Sequence, residues 1–281
     1  MRWKGREQSD NIEDRRGMAP AGKVIGGGGL FTLVIALVVM FLGGDPAQVV
    51  SQLPQPGQAT NLDQSKLDPE AKEFVSVVLK DTEDVWTKLF AEKGLQYQKP
   101  KLVLFSGQVE SACGFASSAV GPFYCPGDNQ VYLDTAFYDD LANRFGAPGE
   151  FAKAYVIAHE VGHHVQNLLG TSDQVDALRK RLSQSDFNKV SVRMELQADF
   201  FAGVWAHHTQ KVKNVLNEQD IRDGLRAAER IGDDNLQMQA QGHVVPESFT
   251  HGSGEQRMRW FMRGFRTGDM TQGDTFNATE L

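Results

Sequence analysis

The sequence is poor in cysteine and has no excess of positive charge. Its two cysteines allow at most one intramolecular disulfide. The formal net charge of −7 gives no general reason to expect nucleic acid as a partner. With 281 residues and a hydrophobic content of 41%, the chain can form one sizeable domain or two small ones.

Charge is missing altogether from one long stretch near the N-terminus. Residues 24–42 contain no charged side chain, and from Leu30 to Leu42 every residue except Thr32 is apolar. A helix of about 20 residues spans the hydrocarbon core of a bilayer. We therefore predict one N-terminal transmembrane helix over residues 24–43. The alternatives are a buried core helix and a cleaved signal peptide, but no convincing small-residue cleavage site follows the stretch.

The basic residues on the two sides of this stretch are distributed unequally. None follows it before Lys66, whereas six precede it: Arg2, Lys4, Arg6, Arg15, Arg16 and Lys23. Because positively charged flanking segments stay in the cytoplasm, we expect residues 1–23 to be cytoplasmic. The chain would then be a single-pass protein of the inner cell membrane, with the lipid bilayer as a partner and its C-terminal bulk periplasmic or otherwise extracytoplasmic.

Both cysteines lie in the part of the chain that this topology exports. An oxidising compartment favours a disulfide between Cys113 and Cys125. Two free structural thiols are the alternative.

Composition divides the remainder of the chain into three parts. Residues 44–68 are rich in Gln, Pro, Ser and Asn, which is typical of a flexible linker. Residues 69–268 carry the patterns of a folded domain, and residues 269–281 are expected to be a loosely ordered tail. We therefore predict one domain between a linker and a short tail.

The local patterns inside this domain indicate its fold class. Asp68 suits a helix N-cap, with Pro69 at the first helical position. Two short β-like runs follow, at residues 101–105 and 130–133, and the periodicity is helical from residue 151 onward. We predict an α+β fold, mostly helical with a small sheet. The second run could be an edge strand that pairs with an extended peptide, or an ordinary covered strand.

The run from His159 to His163, His-Glu-Val-Gly-His, is the most informative part of the sequence. On a helix, His159 and His163 project from one face, so both imidazoles can reach one metal ion. Glu160 can then act as a base toward water activated by zinc. Composition alone would produce this motif in roughly one such chain in a hundred, so its context has to support it.

A catalytic zinc site usually needs a third protein ligand. Glu195 and Asp199 share one face of a later, largely apolar helical segment. Carboxylates are unfavourable there unless they are paired or bound to metal. We predict Glu195 as the third ligand and Asp199 as the acceptor that orients a ligand histidine. Cys113 is the alternative ligand, but Cys125 competes for its sulfur.

The His159–His163 motif, followed by Glu-Leu-Gln-Ala-Asp at residues 195–199, resembles the gluzincin arrangement. The resemblance is greatest to a bacterial family of membrane-anchored neutral zinc metallopeptidases, and it covers about residues 107–266. It implies a zincin-like domain that binds Zn²⁺ through His159, His163 and Glu195, with Glu160 as the base. It does not imply a natural substrate.

His251 lies in a Phe-Thr-His-Gly-Ser stretch that is also part of this resemblance. A histidine in a similar late position lies near the metal in related peptidases. The resemblance therefore implies a catalytic role for His251, in which it steadies an oxyanion or occupies the open position of zinc. A loop histidine without a catalytic role is the alternative.

These patterns together predict a zinc-dependent metallopeptidase that hydrolyses peptide bonds of extracytoplasmic proteins or peptides. The alternative is a latent or non-catalytic zinc-binding scaffold or regulatory module of the cell envelope, which a fourth protein ligand on the metal would favour. An intramembrane protease is excluded, because the motif's helix contains Lys153, His164 and Gln166 and no long apolar run.

Overall fold

The computed structural model describes residues 1–18 and 68–281. The predicted transmembrane helix at 24–43 and nearly all of the predicted linker lie outside these residues. Among the residues that the structure describes, no helix is long and apolar enough to cross a membrane. They form helices for the most part and one small sheet, which confirms the predicted α+β class.

The main sheet has four strands. One face, with Leu102 and Leu133, belongs to the helical core, whereas Val103 and Tyr132 on the other face pack with Val109 of an adjoining hairpin. In chain order the strands and the hairpin that accompanies them are β1 (Ile12–Asp14), β2 (Lys101–Phe105), β3 (Gln108–Ser111), β4 (Gly114–Ser117), β5 (Phe123–Cys125) and β6 (Gln130–Asp134). The strand order is β1-β2-β6-β5, with β1, β2 and β6 parallel and β5 antiparallel to β6. Strands β3 and β4 form a separate antiparallel hairpin.

The two predicted β-like runs correspond to β2 and β6, which are neighbours in this sheet. Strand β6 lies between β2 and β5, so it is a covered strand, and β5 is the strand at that edge. Residues 102–105 of β2 and 131–134 of β6 are all buried. Continuous apolar runs of this kind are typical of parallel strands with both faces covered.

The described residues form seven longer helices. They are α1 (Pro69–Glu92), α2 (Glu150–Leu168), α3 (Thr171–Arg179), α4 (Gln184–Lys213), α5 (Glu218–Arg230), α6 (Asp233–Gln241) and α7 (Gly254–Thr267). The Asp68 side chain accepts the Glu70 backbone N–H, as expected for the N-cap of α1. Ser253 and Gln256 form a reciprocal capping box that fixes the first turn of α7.

Helix α4 is held between α2 and α7 at positions where glycine replaces a side chain. A Cβ atom at Gly203 of α4 would lie 2.0 Å from the carbonyl oxygen of Phe261 on α7. One at Gly162 of α2 would lie 2.8 Å from the carbonyl oxygen of Ala198 on α4. Because backbones approach this closely only at glycine, the position of α4 relative to α2 is tightly fixed.

Residues 1–18 pack against the domain formed by residues 68–281. Strand β1 lies next to β2, and the Trp3 ring is buried edge-on against Phe74. The Ser9 hydroxyl donates to the buried carboxylate of Glu83 over 2.6 Å. The sequence predicts that residues 1–23 lie outside the domain. In the structure residues 1–18 are part of the domain. Local sequence patterns do not predict this, because the contacts join residues that are far apart in the chain.

The predicted tail also packs against the domain. Thr275 is fully buried, and its hydroxyl donates to the backbone carbonyl of Arg193 on α4 over 2.6 Å. The Arg193 guanidinium donates to the carbonyls of Phe276 and Ala278 at 3.2 and 3.1 Å. Residues 269–281 are predicted to be loosely ordered, but hydrogen bonds to Arg193 of α4 hold several of them against the domain.

Cys113 and Cys125 form the predicted disulfide. It joins the turn between β3 and β4 to β5, and none of the described cysteines is free. Cys113 is therefore not available as a metal ligand.

Candidate metal centre

Helix α2 carries the His-Glu-Val-Gly-His motif in its interior, as the sequence predicts. His159 and His163 are one turn apart on the same face, with their ring centroids 4.8 Å apart. Their Nε2 atoms lie 3.2 Å from each other. Both imidazoles therefore present the same nitrogen to one point beside the helix.

Helix α4 brings Glu195 to the same point. Its Oε2 atom lies 3.1 Å from His159 Nε2 and 3.5 Å from His163 Nε2. Within residues 1–18 and 68–281, these three residues form the one group of three or more His, Cys, Asp or Glu side chains whose ligand atoms converge within 4.8 Å. No fourth side chain of these types joins the group in that part of the chain.

The spacing of the three atoms fits zinc. Bonds of about 2.0–2.2 Å to nitrogen and oxygen in a tetrahedral site place ligand atoms roughly 3.3–3.5 Å apart. The observed separations of 3.1 to 3.5 Å are close to this range. Two imidazoles and one carboxylate are also the donor set of many catalytic zinc sites, which leave a further position open.

The hydrogen bonds around the two imidazoles determine which nitrogen carries a hydrogen. His159 Nδ1 lies 2.8 Å from Asp199 Oδ1, and His163 Nδ1 lies 2.8 Å from Gln166 Oε1. Both partners are acceptors, so each neutral imidazole is protonated at Nδ1 and exposes a lone pair at Nε2. Two lone pairs and the Glu195 carboxylate then face one another, and this arrangement requires a cation between them.

The pKa values of the ligands reflect the same requirement for positive charge. Burial lowers the pKa of His159, but the carboxylates of Asp199 and Glu195 outweigh it and raise that pKa from 6.5 to about 10. Burial likewise lowers the pKa of His163, and Glu195 raises it above its ordinary value. Burial raises the pKa of Glu195, whereas both histidines hold it well below its usual range. Without metal, protons on the imidazoles supply the positive charge.

Asp199 is the centre of a fully buried polar network behind His159. Its Oδ1 atom accepts from His159 Nδ1 and the Tyr155 hydroxyl, and the Arg257 guanidinium donates to both carboxylate oxygens at 2.9 and 3.1 Å. Arg257 also donates to Tyr155 and to the carbonyl of Ile231. Although burial raises the pKa of Asp199, Arg257 and His159 hold it at about 2. Asp199 therefore stays ionised and keeps His159 in one tautomer.

Gln166 has the corresponding position behind His163. Its Oε1 accepts from His163, while its Nε2 donates to the Met194 carbonyl over 2.7 Å and to Gln197 over 3.1 Å. The side chain is fully buried. Gln166 thus orients one ligand histidine and ties it to the turn of α4 that contains Glu195.

Glu160 follows His159 on α2 and has 8% of its surface exposed. Its carboxylate is close enough to His163 to raise the pKa of that imidazole electrostatically. Glu160 therefore follows the candidate ligand His159 on α2 and keeps a small opening to solvent.

His251 lies in the loop before α7 and is held there by Asp233. Its Nδ1 atom lies 3.1 Å from Asp233 Oδ1, and Asp233 Oδ2 accepts the backbone N–H groups of Thr250, His251 and Gly252. Burial lowers the pKa of His251, but Asp233 and Glu195 raise it above its ordinary value. The side chain is still 50% exposed. A cationic or N–H-bearing imidazole is therefore available to solvent near Glu195.

Close packing places this loop beside the third ligand. A Cβ atom at Gly252 would lie 3.2 Å from Val192 and 3.4 Å from Leu196, which flank Glu195 on α4. Gly252 also has a φ of +93°, which favours glycine. His251 is not part of the group of converging ligand atoms. The structure thus brings His251 near the metal centre without making it a ligand.

Four residues of the site were not anticipated as its components. The sequence does indicate a role for Gln166 at the site, because it lies three residues after His163 and hence on nearly the same helix face. No sequence pattern indicates Asp233 and Arg257, because they reach the site from α6 and α7 through tertiary packing. Tyr155 lies one turn before His159 on α2, and its hydroxyl donates to Asp199.

Comparison with known proteins was made for the whole chain. A family model described as "Putative neutral zinc metallopeptidase" matches residues 1–276. The uncharacterised protein YpfJ of Escherichia coli is 48% identical over 288 aligned residues, which cover 99% of this chain and 100% of that protein. Mb2605 of Mycobacterium bovis and Rv2575 of Mycobacterium tuberculosis, both uncharacterised, are 43% identical over 263 residues, 86% of each chain. No solved structure matches the chain.

Proposed function

Because the chain belongs to the neutral zinc metallopeptidase family, we propose that it hydrolyses peptide bonds at a zinc ion held by His159, His163 and Glu195. The observation that carries this proposal is the convergence of these three ligand atoms within 4.8 Å, without a fourth side-chain ligand from the described residues. A structural zinc site is usually closed by four protein ligands. A three-ligand set favours an enzyme over a latent scaffold.

The proposed chemistry is divided between the metal and two side chains. Zinc, when bound, supplies a Lewis acid that polarises the peptide carbonyl and makes a water molecule more acidic. Glu160 takes a proton from the attacking water and later delivers it to the departing amine. Its location next to His159 on a rigid, buried helix fixes the carboxylate for both transfers.

His251 is proposed to stabilise the negative charge that develops on the carbonyl oxygen. Asp233 accepts from its Nδ1, which directs the Nε2–H of the imidazole away from Asp233. The contact with Asp233 and the field of Glu195 both favour the protonated imidazole. A positioned N–H donor of this kind stabilises a transition state more than a ground state.

We further propose that the substrates are extracytoplasmic proteins or peptides and that residues 24–43 attach the chain to a membrane. The disulfide between Cys113 and Cys125 supports an oxidising compartment. The uncharged sequence of residues 24–42 supports attachment to a bilayer.

The proposal is tested by incubating the purified full-length protein with cell-envelope proteins and sequencing the new N-termini. We expect cleavage that stops when a chelator removes zinc and returns when one equivalent of zinc is added. Cleavage that persists in zinc-free protein would refute the zinc mechanism. Intact substrates after incubation with fully zinc-loaded protein would favour the latent scaffold instead.

A further inference from the structure

Residues 1–18 are bound to the domain that carries the metal centre by backbone pairing. In β1 and β2 the register pairs Ile12 with Leu102, Glu13 with Val103 and Asp14 with Leu104. Strand β1 therefore forms the outer edge of the same sheet whose other strands are β2, β6 and β5. Without β1, the edge of β2 would present unpaired backbone groups.

Buried polar contacts join the same two parts of the chain. Glu83 of α1 has 2% of its surface exposed, and its Oε1 accepts from the Ser9 hydroxyl at 2.6 Å and the Asn11 amide at 2.7 Å. The Arg6 guanidinium pairs with the buried carboxylate of Asp81, two residues earlier on α1. Residues 1–18 thus supply hydrogen-bond and ion-pair partners for the two buried carboxylates of Glu83 and Asp81.

Arg16 and Asp68, which precede and follow residues 19–67 in the chain, are also in contact. The Arg16 side chain is almost fully buried, forms an ion pair with Asp14 at 2.8 Å and donates to the backbone carbonyl of Asp68 over 3.1 Å. Arg16, near the end of the described N-terminal residues, therefore lies beside Asp68, the first described residue of the domain.

From these contacts we infer that residues 1–18 lie on the same side of the membrane as the metal centre. A single crossing between Met18 and Asp68 would put β1 and β2 on opposite sides, which their pairing forbids. This inference replaces the predicted orientation in which residues 1–23 are cytoplasmic and the domain is periplasmic. It does not depend on peptidase activity.

The basic residues on which the earlier orientation rested have a second explanation in the structure. Lys4 pairs with Glu70 at 2.7 Å, Arg15 with Glu13 at 2.7 Å, and the Arg2 guanidinium donates to the carbonyl of Asn214. Together with Arg6 and Arg16, five of the six basic residues that precede residue 24 make contacts with the folded domain or with β1. Their excess is therefore no longer evidence for a cytoplasmic N-terminus.

Cysteine labelling of the full-length protein in cells tests this inference. Gln8 and Thr87 are both exposed, Gln8 in the N-terminal segment and Thr87 on α1. Separate Gln8→Cys and Thr87→Cys variants would be treated with a membrane-impermeant maleimide in spheroplasts before and after lysis. The wild-type chain measures the background labelling of Cys113 and Cys125 under each condition, which is absent while they are joined in a disulfide. Zinc content of each purified variant shows that it has folded.

We expect both cysteines to be labelled under the same condition. Labelling of both before lysis supports the inference and an extracytoplasmic site. Labelling of both only after lysis also supports the inference, while it contradicts the proposed compartment. Labelling of one cysteine before lysis and the other only afterwards would overturn the inference.

Discussion

Replacing Asp199 with asparagine changes one atom and isolates the role of the buried network. Asp199 receives hydrogen bonds from His159, Tyr155 and both nitrogen positions of the Arg257 fork, and it donates none. Asparagine has a single acceptor oxygen and an NH₂ group that is a donor only. In either orientation of the amide, a donor faces a donor, and the Arg257 charge loses its counter-ion.

The expected effect has two parts. Loss of the acceptor that orients a ligand histidine typically weakens metal binding by about 10- to 100-fold. A buried charge left without its partner costs about 3–5 kcal/mol, and the remaining hydrogen bonds of asparagine favour the lower end. For a domain of this size, about 3 kcal/mol corresponds to a fall in Tm of roughly 6–12 °C.

Both effects of Asp199→Asn can be measured on purified protein. Zinc affinity is obtained by competition with a chromophoric chelator, and stability by thermal unfolding of the metal-free chain. Asp176→Asn is the control, because Asp176 is exposed on α3, and we expect it to change neither quantity appreciably. Wild-type zinc affinity together with a wild-type Tm for Asp199→Asn would refute the role assigned to the network.

Three further predictions concern the helix contact, the loop histidine and pH. Gly162→Ala should lower the free energy of unfolding by about 1–3 kcal/mol through overpacking against α4, although alanine favours helices by about 1 kcal/mol. A Tm equal to or above that of the wild type would contradict this prediction. His251→Gln should keep zinc but lower kcat by about 10²–10³-fold, while the exposed control His243→Gln should keep both; an unchanged kcat for His251→Gln would remove the proposed role. Because the pKa of His159 is raised from 6.5 to about 10 in the metal-free fold, that fold should lose stability as pH rises between these values. Over the same pH range zinc should bind more tightly as protons leave the ligands. A zinc affinity that does not change with pH over this range would contradict this linkage.

The proposed metal ligands and Asp199 could be predicted from sequence because helix periodicity alone brings them together in pairs. His159 and His163 are four residues apart, as are Glu195 and Asp199, so each pair shares a face before any tertiary structure is known. The apolar surroundings of Glu195 then indicated a buried carboxylate with a specific partner. The one missing step was the contact between α2 and α4, which Gly162 makes possible.

The supporting residues could not be predicted in the same way, because they depend on tertiary packing. Arg257 reaches Asp199 from α7, and Asp233 reaches His251 from the start of α6. No local periodicity relates these positions. The N-terminal segment shows the same limit: its basic residues satisfied a rule about membrane topology, whereas in the structure most of them form ion pairs or backbone contacts within the fold.

Zinc content and peptide hydrolysis, measured together on Glu160→Gln, test whether the protein is a zinc peptidase that uses Glu160 as its base. Glutamine preserves the size of the side chain and cannot accept the proton, so metal binding and catalysis are separated. We expect one zinc per chain and a rate lower than wild type by roughly 10²–10⁴-fold, while the exposed control Glu247→Gln behaves as wild type. A Glu160→Gln protein that binds zinc and cleaves substrate at the wild-type rate would contradict this expectation.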